Sequence, residues 1–150
     1  MNVLNLTTNK NHSFFKNQIE SLKEHGIETE VLVVPGEHSE DDGKVTNRSV
    51  TDYLRYYPMV RREVSEGYDL LHANFGYTVP FALLQNKLPV VVTLWGTDLM
   101  GDKGYVSEIC SRFADEVIVP SPIMGNFLSC EYTVIPFGVD TELFKPIDQR

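Results

Sequence analysis

Residues 3–6 form a short apolar run, broken only by Asn5, that opens into the polar loop "TTNKNHS". Phe15, Ile19 and Leu22 then recur at i, i+4 and i+7, which puts them on one face of a helix. His25-Gly26 closes that helix, with glycine where the chain leaves the last turn. "TEVLVVPG" is a compact β-rich run stopped by Pro35-Gly36. The polar, acidic loop "GEHSEDDGKVTNRS" follows, with a short strand expected at 44–47. Val50, Tyr53, Leu54, Tyr57, Val60 and Val64 make a helical stripe, which Pro58 should kink or restart.

The second half keeps the same rhythm. "YDLLHANF" is a strand, and "YTVPFALLQNK" is a short helix with Pro80 in its first turn. "LPVVVTLW" is continuously apolar, as in a strand buried on both faces of a parallel sheet. "GDKGYVSEICSRFA" contains a helix expected to turn Val106, Ile109, Cys110 and Phe113 inward. "DEVIVPS" is a strand, "PIMGNFLSC" a short helix and "YTVIPFG" a last strand. Such alternation predicts an α/β, doubly wound, mostly parallel sheet of about six or seven strands, with helices on both faces. Ligands of these sheets bind at the carboxyl ends of the strands, so the loops after Leu6, Leu71, Trp95, Val119 and Ile135 are the places to search.

Charge narrows the classes of partner. The chain has 150 residues, enough for one domain, and a formal net charge of −8. That balance argues against broad binding to nucleic acid or anionic membrane. Arg55, Arg61 and Arg62, on one expected helix, form the only candidate basic patch, read either as a weak membrane or anion contact or as a solvated face. Cys110 and Cys130 form no CxxC and have no histidine at ligand spacing, so no metal site is expected and the thiols should be reduced. The N-terminus has no signal-peptide pattern, and the longest apolar run, 88–95, is too short to span a bilayer; a soluble, cytoplasmic chain is expected.

Three loops carry candidate chemistry. "TTNKNHSFF" has no glycine, which excludes a standard dinucleotide fingerprint. Its Asn9, Lys10 and Asn11 stand near a helix N-terminus, suited either to an anion or to simple capping by Asn11 or Ser13. In "LLHANFG", His72 ends a buried strand beside Asn74, as a structural hydrogen-bonding residue or a ligand contact. In "VVVTLWGTDLMG", Gly96 permits a sharp turn. Asp98 could accept hydroxyl protons of a polar ligand or shape the turn. Trp95, the only tryptophan, could fill the core or stack on a sugar face.

Read in order, "YDLLHANFG", "LPVVVTLWGTDLMG", "FADEVIVPS" and "VIPFGVDTELFKP" resemble four successive blocks of the N-terminal half of GT-B fold glycosyltransferases of family 4. The match spans residues 68–146; the first 67 residues fit the layout without a further motif. The resemblance implies a two-domain enzyme. Its Rossmann-like N-terminal domain binds the acceptor, a sugar or a lipid-linked group. Its C-terminal domain binds a nucleotide-sugar donor, with transfer in the cleft between, retention at the anomeric carbon and neither metal nor separate cofactor. Residues 1–140 would be the acceptor-side domain and 141–150 the start of a linker to an absent C-terminal domain, so the chain alone should not turn over.

Carried onto this sequence, the resemblance makes Asp98 and His72 candidate catalytic residues, with Asn9, Lys10 and Asn11 towards the donor phosphates and Asn74, Trp95, Gly96 and Ser121 towards the acceptor. The chain departs from the family pattern in three places. The first loop lacks the usual glycines, His72-Ala73-Asn74 keeps only the first histidine of a His-x-His-like block, and Trp95 stands where many members have histidine. Two other readings are a non-catalytic sugar- or nucleotide-binding or assembly module, and part of a sugar-nucleotide epimerase.

Overall fold

The computed structural model describes residues 1–38, 45–139, 141 and 144. Residues 39–44 of the acidic loop, and the expected linker apart from Thr141 and Phe144, lie outside the described residues. In chain order the elements are β1 (Asn2–Thr7), α1 (Ser13–Glu24), β2 (Glu28–Val33), β3 (Glu37–His38), β4 (Val45–Asn47), α2 (Val50–Glu63) and β5 (Leu70–Asn74). A 3-10 turn (Gly76–Thr78) leads into α3 (Val79–Leu83), β6 (Val90–Thr93), α4 (Thr97–Met100), α5 (Gly104–Ser111), β7 (Glu116–Val119), α6 (Pro122–Gly125) and β8 (Thr133–Val134).

Six strands make one parallel sheet in the order β2-β1-β5-β6-β7-β8, and β3 and β4 pair as a separate antiparallel ribbon. This is the doubly wound, Rossmann-like α/β architecture expected from the alternation of elements. The strand order reverses between β1 and β5: the chain leaves β1 towards β2 and later builds outward from β5. Right-handed crossovers then set the β1–β2 helix and the later helices on opposite faces, and a crevice opens at the carboxyl ends of β1 and β5. Leu4, Leu6, Leu71, Ala73, Val92 and Val119 from the central strands are buried, as continuous apolar runs require.

Two helices depart from their expected facing: α2 keeps Tyr53, Tyr57, Val60 and Val64 of its stripe at least half-buried, whereas α5 buries a different face. α2 runs unbroken through Pro58 and turns Tyr56, Val60 and Val64 into the core, while Val50 and Leu54 are exposed. Tyr56 is fully buried because its hydroxyl donates to the Leu32 carbonyl (2.8 Å), so the ring fills the core without an orphaned polar tip. The missing Pro58 N–H deprives the carbonyl of the exposed Leu54, where water can serve instead. α5 turns Gly104, Ser107 and Ser111 inward and leaves Ile109 and Phe113 outside, the latter 73% exposed, contrary to the amphipathic reading. The cause is close approach: a Cβ at Gly104 would overlap the Leu99 carbonyl, and one at Gly76 would overlap the Ser107 side chain. At that separation only small residues fit, and shape outweighs hydrophobicity. Val106 and Cys110 are half-buried.

Candidate active site

Asp98 is where the loops after β5 and β6 meet. It is 0% exposed, although it sits in the first turn of α4 at the sheet mouth. Its carboxylate accepts the backbone N–H groups of Trp95 (2.9 Å), Gly96 (2.8 Å) and, from the loop after β5, Gly76 (2.7 Å). Burial pushes its carboxyl above the ordinary range, against the downward pull of those N–H groups. Gly96 turns the chain with φ of 135°, a conformation open to glycine. Phe75 adopts φ of 96°, strained for a bulky residue, and directly precedes the Gly76 N–H that reaches Asp98.

Beneath the crevice lies a buried polar chain. Asn74 donates to the Asn5 side chain (3.2 Å) and accepts from the Gln18 amide (3.0 Å). The same Gln18 nitrogen lies 3.4 Å from His72 Nδ1, and His72 Nε2 lies 2.8 Å from Thr93 Oγ1. An amide nitrogen only donates, so Nδ1 accepts and Nε2 carries the proton towards Thr93. Desolvation lowers the His72 pKa from its ordinary 6.5 to about 4, so the imidazole is neutral near pH 7.

Above this layer stands an aromatic wall. Phe137, in the exit from β8, stacks on Trp95 (centroids 4.9 Å, 23° between planes) and on Phe14 (5.1 Å, 24°). His12 meets the Trp95 ring edge-on at 5.6 Å. Two clefts share Phe14 and Phe137 as a partition. The first, about 410 Å³, lies over the switch between β1 and β5, bounded by Thr8, Asn9, Asn74, Phe75, Trp95 and Thr97. The second, about 360 Å³, lies between α1 and the β8 exit and reaches His72 and Thr93.

The expected site residues therefore separate into groups. Asn9, Asn74 and Trp95 line the first cleft, with Gly96 in the turn beside it, and His72 lines the second. Lys10 and Asn11 are exposed, and the Asn9 side chain accepts the Asn11 N–H (2.9 Å) in a local turn. His12, not Asn11 or Ser13, is the α1 cap residue, and it makes no side-chain cap bond. Ser121 precedes α6, half-buried, and lines neither cleft. Phe14, Phe137, Gln18 and Thr93 were not expected. Phe137 could have been found inside its "VIPFGVD" block, and Phe14 as an aromatic off the buried α1 stripe. Among the described residues, no helix is long and apolar enough to cross a membrane and no three His, Cys, Asp or Glu side chains gather as a metal site.

The fold recurs in solved structures. A sucrose-phosphate synthase chain from Thermosynechococcus elongatus superposes with a TM-score of 0.66 at 18% identity, over 95% of this chain and 92% of that one. MurG from Acinetobacter baumannii superposes with a TM-score of 0.55 at 14% identity, over 91% of this chain but only 45% of MurG. At such identities the likeness is one of fold. A comparison with curated proteins returns no match. The sequence itself goes further: residues 13–143, which include Phe14, the loops after β5 and β6, the Asp98 turn and Phe137, match the family model for Glycosyltransferase Family 4, and the chain belongs to that family.

Proposed function

We propose that this chain is the acceptor-binding half of a cytoplasmic, retaining glycosyltransferase that moves a sugar from a nucleotide-sugar donor to a sugar or lipid-linked acceptor. Within the family, the observation that carries this reading is the 410 Å³ cleft at the switch between β1 and β5, which among the described residues is lined by no Lys or Arg. A donor diphosphate needs basic side chains or several N–H donors, so this cleft suits the acceptor and the donor belongs to a second domain. In this reading the exposed Lys10 and Asn11, with Asn9 of the cleft lining, face a donor held by the second domain. No metal is assigned a role. The 150-residue chain alone does not transfer.

In this reading Asp98 and His72 act as positioning residues. Asp98 fixes the Trp95–Gly96 turn and the Gly76 turn on either side of the acceptor. His72 holds the layer below in one hydrogen-bonded arrangement. Rate enhancement from such positioning comes from holding the acceptor hydroxyl in near-attack geometry.

The test is transfer from a panel of nucleotide sugars by a longer protein carrying about 200 further residues, a typical domain size. Transfer by that protein and none by this chain is expected; tight nucleotide-sugar binding by this chain alone would overturn the division of labour. A second reading, a non-catalytic binding module, is favoured by one observation: the oxygens of Asp98 and both ring nitrogens of His72 are engaged within the protein. Ligand binding without transfer in the longer protein would select it.

A further inference from the structure

The clefts are unusual in their charge. Charged residues make up 23% of the chain, yet the described lining of both clefts contains no Asp, Glu, Lys or Arg. What lines the first cleft is of two kinds. One is aromatic: Phe14, Phe15, Phe75, Trp95 and Phe137. The other is polar, from Thr7, Thr8, Asn9, Asn74 and Thr97, with His12 the one titratable side chain of the described lining. Arg48, on the far side of Thr8, directs its guanidinium at the carbonyls of Thr8, Val34 (3.2 Å) and Pro35 (3.3 Å).

This combination selects a ligand chemistry. A phosphate or carboxylate in an aromatic cleft with no Lys or Arg loses hydration without gaining a permanent counter-charge, which is unfavourable. A hydrocarbon would leave the amides and hydroxyls unpaired. A neutral pyranose meets both requirements. Its C–H face lies on aromatic rings and its hydroxyls exchange hydrogen bonds with threonine and asparagine. The cleft volume, about 410 Å³, falls within the range of roughly 300–1,000 Å³ found for small-molecule sites.

We propose that the acceptor taken by this cleft is a neutral saccharide, packed against the Trp95–Phe137–Phe14 wall and hydrogen-bonded by Thr8, Asn9 and Thr97, and not a sugar phosphate or a lipid phosphate. The proposal rests on the acceptor-side reading above. Its consequence is that Phe137 sets affinity: it is the ring that joins Trp95 to Phe14 and separates the two clefts.

Trp95 is the only tryptophan, so its fluorescence reports occupancy directly. The 150-residue chain is titrated with glucose, methyl α-glucoside, methyl α-mannoside, maltose, glucose 6-phosphate and inorganic phosphate. At least one neutral saccharide should shift the emission saturably, and glucose 6-phosphate should bind at least about tenfold more weakly than it, a difference of about 1.4 kcal/mol. Phe137→Ala should weaken the saccharide about three- to tenfold, the size of one lost ring contact, and Phe137→Tyr should restore it. The proposal is overturned if no neutral saccharide shifts the emission up to its solubility limit. It is equally overturned if glucose 6-phosphate binds as tightly as the neutral sugars, or if Phe137→Ala, with an unchanged melting temperature, leaves affinity unchanged. Transfer by the longer protein onto a phosphorylated acceptor would sink this proposal and leave the glycosyltransferase reading standing. Saccharide binding without transfer by the longer protein would do the reverse.

Discussion

The two sides of the cleft are held by different forces. On the β5–β6 side, one buried carboxylate gathers N–H groups from two loops, with Gly76 lying 22 residues away in sequence. On the β1–β8 side, His12, Phe14 and Phe137 meet the Trp95 wall through ring contacts, and Phe14 is 40% exposed. Hydrogen bonds to a buried charge are directional and costly to break. Stacked rings contribute about 0.5–1.5 kcal/mol each and tolerate sliding. The difference assigns geometry to the first side and adaptable fit to the second.

The sharpest way to break that contrast is Asp98→Ala. It leaves backbone N–H groups of Trp95, Gly96 and Gly76 without their acceptor. At about 1–3 kcal/mol each, partly recovered by relaxation, the loss should be on the order of 4 kcal/mol. Thermal unfolding should then fall by about 10 °C. Asp98→Asn, which keeps one acceptor oxygen, should lose roughly half as much. An unchanged melting temperature in both variants would mean that the two sides are equally soft.

His72 tests the layer below. Its folded pKa, about 4, lies under the ordinary 6.5, so the unfolded chain takes up the proton first as pH falls. The stability of the neutral, buried form is fully present above about pH 6.5 and is lost down to about pH 4. The loss should be on the order of 3 kcal/mol. Urea titrations across that window should show the slope, and His72→Gln should flatten it; an equal slope in the variant would assign the loss to carboxylates.

Smaller effects are expected on the aromatic side. Phe137→Ala should cost no more than about 1 kcal/mol and shift Trp95 emission to the red, because a half-buried ring gains water. A loss as large as that of Asp98→Ala would make Phe137 a structural keystone. Smallest of all, Phe113→Ser at the exposed position just past the end of α5 should change stability by less than about 0.5 kcal/mol. A larger change would show that the small-residue face of α5 is not its only buried face.

Much of the fold was legible from local pattern. The run 90–93 and the Pro80 helix start are decided by residues adjacent in sequence, and they appear where the pattern puts them. The facing of α5 was not legible, because Ile109 and Phe113 look like core until Gly104 and Ser107 are seen against Leu99 and Gly76. In the candidate site, Asp98, His72, Asn74 and Trp95 were legible as polar or aromatic residues at strand ends. Their surroundings were not: nothing in "GTD" reveals that its carboxylate reaches a backbone group in another loop.

The sequence alone determined the order and kind of the elements, the carboxyl-end loops to search and the family blocks, because periodicity, turn chemistry and short motifs are properties of neighbouring residues. Only the tertiary structure decided that Asp98 clamps two loops and that His72 is buried neutral. It alone brought residues 14, 95 and 137 into one wall around a cleft whose described lining has no Asp, Glu, Lys or Arg. Those outcomes depend on how closely two crossovers pack at the point where the strand order reverses, a distance set by the whole sheet and written in no single segment of it.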